Sequence, residues 1–134
     1  MKELSKIAQW ISENYSTADK IIEIGIGNTP QVISKLKEEL ENCELIATDI
    51  RKVDTPEGVK SVKDDITKPE LSFYENADLI FSIRPPPDLH PQLNKIARRV
   101  KGDLLIKPAD SEESPSWGEL VNYRGAAFYI LKLS

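Results

Sequence analysis

Between residues 3 and 15 the apolar positions Leu4, Ile7, Ala8, Ile11 and Tyr15 recur at steps of three and four, the stripe of an amphipathic helix. The pattern then changes. Lys20-Ile21-Ile22-Glu23-Ile24-Gly25 is a short, β-branched, mostly apolar run, as expected of a strand buried on both faces. After the turn Gly27-Asn28-Thr29, helical spacing returns in Val32, Ile33, Leu36 and Leu40. Thr29 is expected as the N-cap of that helix, with Pro30 in its first position.

The cycle repeats along the chain. Glu44 to Thr48 reads as a second strand ending at Asp49, and Gly58 to Lys63 as a weaker third ending at Asp64-Asp65. Lys52 to Glu57 has no apolar stripe, which predicts a loop there in place of a crossover helix. Ala77 to Ile83 is the fourth strand, stopped by Arg84-Pro85-Pro86-Pro87, because successive prolines neither donate to a ladder nor enter a helix interior. A helix follows through Leu89, Leu93, Ile96, Ala97 and Val100, with Asp88 expected to cap it, and Asp103 to Lys107 is the fifth strand. From Pro108 to Ser116 the chain is polar, and two strands then flank Gly125, over Glu119 to Arg124 and Ala126 to Leu133. The predicted fold class is α/β, a Rossmann-like three-layer sandwich: a mostly parallel sheet with helices on both faces and an antiparallel C-terminal strand pair.

Composition narrows the function. The 134 residues suit one domain, residues 1–134, with enough core to need no disulfide or metal staples. The single cysteine, Cys43, reads as a small buried hydrophobe and fits a reducing compartment. A net charge of −4, no long apolar run and no apolar leader after Met1 predict a soluble, cytoplasmic protein, with no membrane partner and nucleic acid not favoured. The basic cluster Arg98-Arg99-Val100-Lys101 falls at a predicted helix C-terminus, where the macrodipole already favours cations. One histidine, one cysteine and scattered carboxylates provide no metal-ligand spacing, and no serine sits in a nucleophile elbow.

Candidate chemistry lies at the strand ends. Glu23-Ile24-Gly25-Ile26-Gly27 opens a strand-to-helix turn where glycine permits a sharp bend and close approach of a ligand. The third glycine of a dinucleotide fingerprint would fall at Pro30, which argues against NAD. Asp49 lies 24 positions beyond Gly25, at the end of the next strand, where a carboxylate accepts hydrogen bonds from ribose hydroxyls; a capping or surface role is the alternative.

The Glu-x-Gly-x-Gly turn resembles the first motif of the Rossmann-like S-adenosylmethionine-dependent methyltransferases, with Thr29 replacing their usual third glycine. Together with Thr48-Asp49, Asp64-Asp65-Ile66-Thr67-Lys68-Pro69 and above all Ser82-Ile83-Arg84-Pro85-Pro86, it resembles an uncharacterised UPF-type family of small archaeal proteins grouped by fold with those enzymes. The resemblance implies S-adenosylmethionine as cofactor, with Glu23, Gly25, Gly27, Asp49, Asp65 and Ile66 around it. Asp65 would face the adenine amine and Ile66 supply an apolar or backbone contact.

In amino-methylating members the loop after the fourth strand reads Asp/Asn/Ser-Pro-Pro-aromatic. Here Arg84 takes the acceptor slot and Pro87 the aromatic one. A guanidinium donates but cannot accept, so amine methylation by that mechanism is disfavoured. Arg84 instead suits a carboxylate or phosphate, on the substrate or on the methionine end of the cofactor, or an ion pair with a neighbouring acid. His90, the only histidine, is a candidate general base, with packing or capping as the alternative. Arg84 and His90 are thus the residues expected to face a methyl acceptor. The competing expectation is a non-catalytic nucleotide- or partner-binding module, since the chain leaves no insertion for a substrate domain. Acceptor recognition would then fall to the proline-rich loop, a dimer mate or another protein.

Overall fold

A computed structural model describes residues 2–27, 30–109 and 114–133. The chain runs α1 (Lys2–Asn14), β1 (Lys20–Ile24), α2 (Gln31–Glu39), β2 (Glu44–Asp49), β3 (Lys60–Lys63), β4 (Leu79–Ile83), α3 (His90–Val100), β5 (Asp103–Lys107), β6 (Glu119–Tyr123) and β7 (Ala126–Leu131). The strands form a seven-stranded sheet in the order β3-β2-β1-β4-β5-β7-β6. The first five are parallel to one another, and β7 runs antiparallel between β5 and β6. The chain builds outward from β1 through β2 to β3, then returns to lay β4 against the other side of β1. That reversal makes the β1–β4 seam a topological switch point, where strand ends diverge and leave a crevice.

Alternation of side chains along the buried strands makes two cores. Ile21, Leu45, Ala47, Leu79, Phe81 and Leu105 face α1 and α2. Ile22, Ile24, Ile46, Ile80, Leu104 and Ile106 face α3 and Tyr74. The second face has less helix because β3 reaches β4 through only a single 3-10 turn at Leu71–Phe73. The β2–β3 connection is the expected loop, held by Thr55 Oγ1 donating to the Val59 carbonyl and Ser61 Oγ to the Val53 carbonyl, both at 2.7 Å. At the opposite edge from the crevice, Tyr15 donates to Asp103 Oδ2 at 2.7 Å and the Leu133 amide to Asp103 Oδ1 at 2.7 Å, tying α1 and the end of the chain to β5.

Two local expectations are corrected. Pro30 occupies the N-cap of α2 without a side-chain cap bond, while Thr29 lies outside the described residues. Asp88 does not cap α3: it sits in a 3-10 turn at Pro87–Leu89, and Leu89 holds the N-cap position. The two prolines before that turn bring the chain in as 3-10, which uses Asp88 inside the turn. At the other end of α3 the left-handed residue is Lys101 (φ 60°), not the following Gly102. A Cβ on Gly102 would come within 2.7 Å of the Ala77 carbonyl oxygen, so this glycine serves close packing. Among the described residues no helix is long and apolar enough to cross a membrane, and no metal-binding cluster occurs.

Candidate functional site

A cavity of about 340 Å³ opens at the carboxyl ends of β1, β2 and β4, on the α3 side of the sheet. Its floor is the β1 exit. Gly25 (φ 77°) donates its amide to the Thr48 carbonyl at 2.8 Å, and Gly27 (φ 55°) donates to Asp49 Oδ2 at 2.9 Å. Neither position is crowded where a Cβ would go, so glycine is needed here for its left-handed backbone. Beneath Gly25, the Ser82 hydroxyl donates to the Ile24 carbonyl at 2.8 Å and stitches the ends of β1 and β4 together.

Asp49 is only 8 % exposed, and its Oδ1 accepts from the Arg51 amide at 3.0 Å. Each carboxylate oxygen therefore carries one backbone hydrogen bond and keeps capacity for another. Next to it Ile50 is 63 % exposed on the cavity wall, with Ile66 also contributing to that wall. Covering an isoleucine exposed at the mouth of an apolar crevice would remove apolar surface from water.

The acidic loop after β3 closes another side. Asp65 Oδ1 accepts from both the amide (2.9 Å) and the hydroxyl (2.7 Å) of Thr67, bonds that hold its carboxyl below the usual carboxylate range. Both bonds fall on Oδ1, which directs Oδ2 to other partners. Asp64 is positioned from below: the Tyr74 hydroxyl donates to its Oδ2 at 2.6 Å, and Thr48 Oγ1 lies 3.2 Å from the same hydroxyl. Burial, then the bond to Asp64, pushes the Tyr74 pKa upward, so the ring stays a neutral donor.

At the β4 exit Arg84 has φ 53°, a left-handed conformation that costs a non-glycine residue roughly 1–2 kcal/mol. Its amide donates to the Lys107 carbonyl at 2.6 Å, prolonging the β4–β5 ladder into the loop. Glu3 of α1 reaches across with Oε2 2.8 Å from Lys107 Nζ and Oε1 3.9 Å from Arg84 Nη2. The ion pair with a neighbouring acid is therefore present. Arg84, Pro85, Pro86, Leu89 and Leu93 complete the cavity wall.

The cavity brings together Gly25, Asp49, Asp65, Ile66 and Arg84 of the residues singled out in the sequence. Glu23, Gly27 and His90 do not line it. Gly27 acts through its bond to Asp49. Glu23 projects toward the α1 and α2 face, between Ala47 and Phe81 in register, and is fully buried with neither oxygen partnered among the described residues. Burial alone pushes its carboxyl up to about 8. His90 is 6 % exposed at the first turn of α3 and is not one of the residues of the cavity wall. Cys43 is buried as expected, and burial is the largest cause pushing its thiol up to about 11. Ile50, Tyr74, Lys107 and Glu3 are the site residues that sequence reading missed. Ile50 alone carried a local signal, as an apolar residue between Asp49 and Arg51 at a strand end.

The strand order and the crevice at its switch point define the methyltransferase type of Rossmann-like fold. PigF, solved with SAH, superposes with a TM-score of 0.66 at 11% identity, over 99% of this chain and 56% of that one. SAM-bound CalS10 from Micromonospora echinaspora, an amino pentose methyltransferase, superposes at 0.60 and 14% identity, over 94% of this chain and 59% of that one. The chain thus spans little more than half the length of either structure. It belongs to the uncharacterised protein family UPF0146, whose profile matches residues 4–133. A UPF0146 protein from Archaeoglobus fulgidus is 40% identical over 127 residues, 95% of this chain and 93% of that relative.

Proposed function

We propose that this protein binds S-adenosylmethionine in the cavity at the β1–β4 switch point and that it is a methyltransferase. The observation that carries the reading is the juxtaposition, in one crevice, of Asp49 with spare acceptor capacity, the exposed Ile50, and the Asp65-Ile66 turn. Together they match what an adenosine asks of a protein: acceptors for the ribose hydroxyls, an apolar surface for the ring and an acceptor for the exocyclic amine. The cavity volume lies within the range of small-ligand sites. When bound, the cofactor supplies a methyl carbon activated by a sulfonium.

This chain's own contribution is orientation. Asp49 would hold the ribose from the β2 end while its bond to Gly27 keeps the turn shaped. Asp65, fixed by Thr67, would accept from the adenine amine through Oδ2. Arg84, at the open end, would meet the acceptor. Titration with S-adenosylmethionine and S-adenosylhomocysteine by calorimetry tests this reading, with micromolar binding of both expected, on the order of −8 kcal/mol. Binding of neither at millimolar concentration overturns it.

A second reading, binding without transfer, is favoured by one observation. Among the described residues the cavity wall holds neither histidine nor cysteine, and the candidate base His90 lies elsewhere. Cofactor binding without incorporation of labelled methyl into any cell-extract component supports that reading, and incorporation excludes it. The buried free thiol and the absence of a spanning helix among the described residues support a cytoplasmic location.

A further inference from the structure

We propose that Arg84 and Lys107 form a carboxylate subsite at the rim of the cavity, and that Glu3 fills it as an internal stand-in which a ligand carboxylate displaces. For the identity of that ligand, cofactor or methyl acceptor, the inference rests on the function proposed above.

Three observations converge on it. Two cations from adjacent strand ends share one carboxylate, since among the described residues no other acidic side chain lies within ion-pair distance of either. The sharing is uneven. Glu3 sits 2.8 Å from the lysine but 3.9 Å from the guanidinium, so among the described residues the planar fork of Arg84 has no close bidentate partner. Finally, Arg84 is held in a left-handed conformation that glycine would adopt without strain, and among the described residues it is the one basic residue on the cavity wall. Strain at a ligand-facing cation marks a position selected for its side chain over its backbone.

Glu3 shows which chemistry fits. A carboxylate spans the two cations, with one oxygen toward each. Its side chain is about one-third exposed and stands in the first turn of α1, so a change of side-chain rotamer withdraws it without unfolding the helix. Lys107 is the fixed half of the site: its ammonium also donates to the Ala127 carbonyl at 2.8 Å and its side chain is largely buried. Arg84 is the half that belongs to the cavity wall, which neither Lys107 nor Glu3 lines. A carboxylate entering the crevice can come from the methionine end of the cofactor or from the methyl acceptor, and both have the same chemistry at these two cations.

The test is an NMR titration of the whole protein with sodium malonate at constant ionic strength, first without any adenosyl ligand. Glu3→Gln is expected to tighten malonate binding about two- to five-fold, the worth of removing one partly exposed competing ion pair. Arg84→Gln and Lys107→Gln are each expected to weaken it by at least as much. An unchanged affinity in both Glu3→Gln and Glu3→Ala, or in both cation variants, overturns the proposal. Glu3→Ala repeats the first comparison should the glutamine substitute hydrogen-bond in its place. The titration is then repeated with protein saturated with S-adenosylhomocysteine. Competition assigns the subsite to the cofactor carboxylate, and simultaneous binding assigns it to the acceptor. If S-adenosylhomocysteine does not bind at all, the cofactor reading fails while the malonate comparison still decides the subsite.

Discussion

The backbone amide of Gly27 donates to Asp49 Oδ2 at 2.9 Å. Through that bond the carboxylate closing β2 supports the left-handed turn that follows β1, across 22 positions of sequence. The same side chain is the one proposed to hold the ribose, so turn geometry and ligand binding share a residue.

Asp49→Ala removes the acceptor for Gly27 and Arg51 together. A loss of about 1–3 kcal/mol in folding stability is expected, since bonds to a charged acceptor are involved. Affinity for S-adenosylhomocysteine should fall by at least about tenfold, or 1.4 kcal/mol, in calorimetry. Asp49→Asn retains one acceptor oxygen and should fall between the two.

Tyr74→Phe keeps the buried ring and deletes the hydroxyl that holds Asp64. The expected cost is about 1–2 kcal/mol, seen as a lower urea midpoint with an unchanged slope. Because the cavity's Asp64-Asp65 loop loses its support from below, cofactor affinity should fall as well, although Tyr74 does not line the cavity.

Glu23 makes stability depend on pH. Its ordinary pKa is 4.5 and burial raises it to about 8 in the folded protein. Between those values the folded state holds a proton that the unfolded chain has released. Glu23 therefore contributes fully below about pH 4.5, and its contribution is lost as pH rises toward 8, at no more than about 1.4 kcal/mol per pH unit. Glu23→Gln, neutral throughout, should flatten this slope in urea unfolding carried out at pH 5, 6.5 and 8. Parallel slopes for the two proteins would assign the dependence to another group.

Lys101→Gly relieves a left-handed residue at the end of α3. A gain of about 0.5–1 kcal/mol is expected after a few tenths are lost from the helix dipole. The melting temperature should rise with no effect on ligand affinity, because the α3 C-terminus is remote from the cavity wall.

Glu23 shows why the site was only partly legible. It lies in a run that is apolar on both faces, so alternation says that Glu23 and Ile24 point opposite ways but not which of them meets a ligand. The glycine turn, Asp49 and Asp65 were legible because strand ends in such sheets converge on one crevice whatever lies between them. Ile50 followed Asp49 in plain sight, yet exposure of an isoleucine cannot be read from sequence. Tyr74 lies in a segment with only one short turn, and its partner Asp64 is ten positions away on another element.

Taken by itself, the sequence determined the succession of strands and helices, the loop in place of a helix after β2, the antiparallel end of the sheet, and the acidic residues at successive strand ends. These follow from interactions among residues close in the chain, where periodicity, glycine and proline dominate. The tertiary structure decided which face each buried side chain meets. It withdrew Glu23 and His90 from the cavity, turned Lys101 and not Gly102 left-handed, and set Glu3 against Arg84 and Lys107. Those outcomes depend on packing between segments distant in sequence, such as Gly102 against Ala77 and α1 against the β4 and β5 ends, which no local pattern encodes.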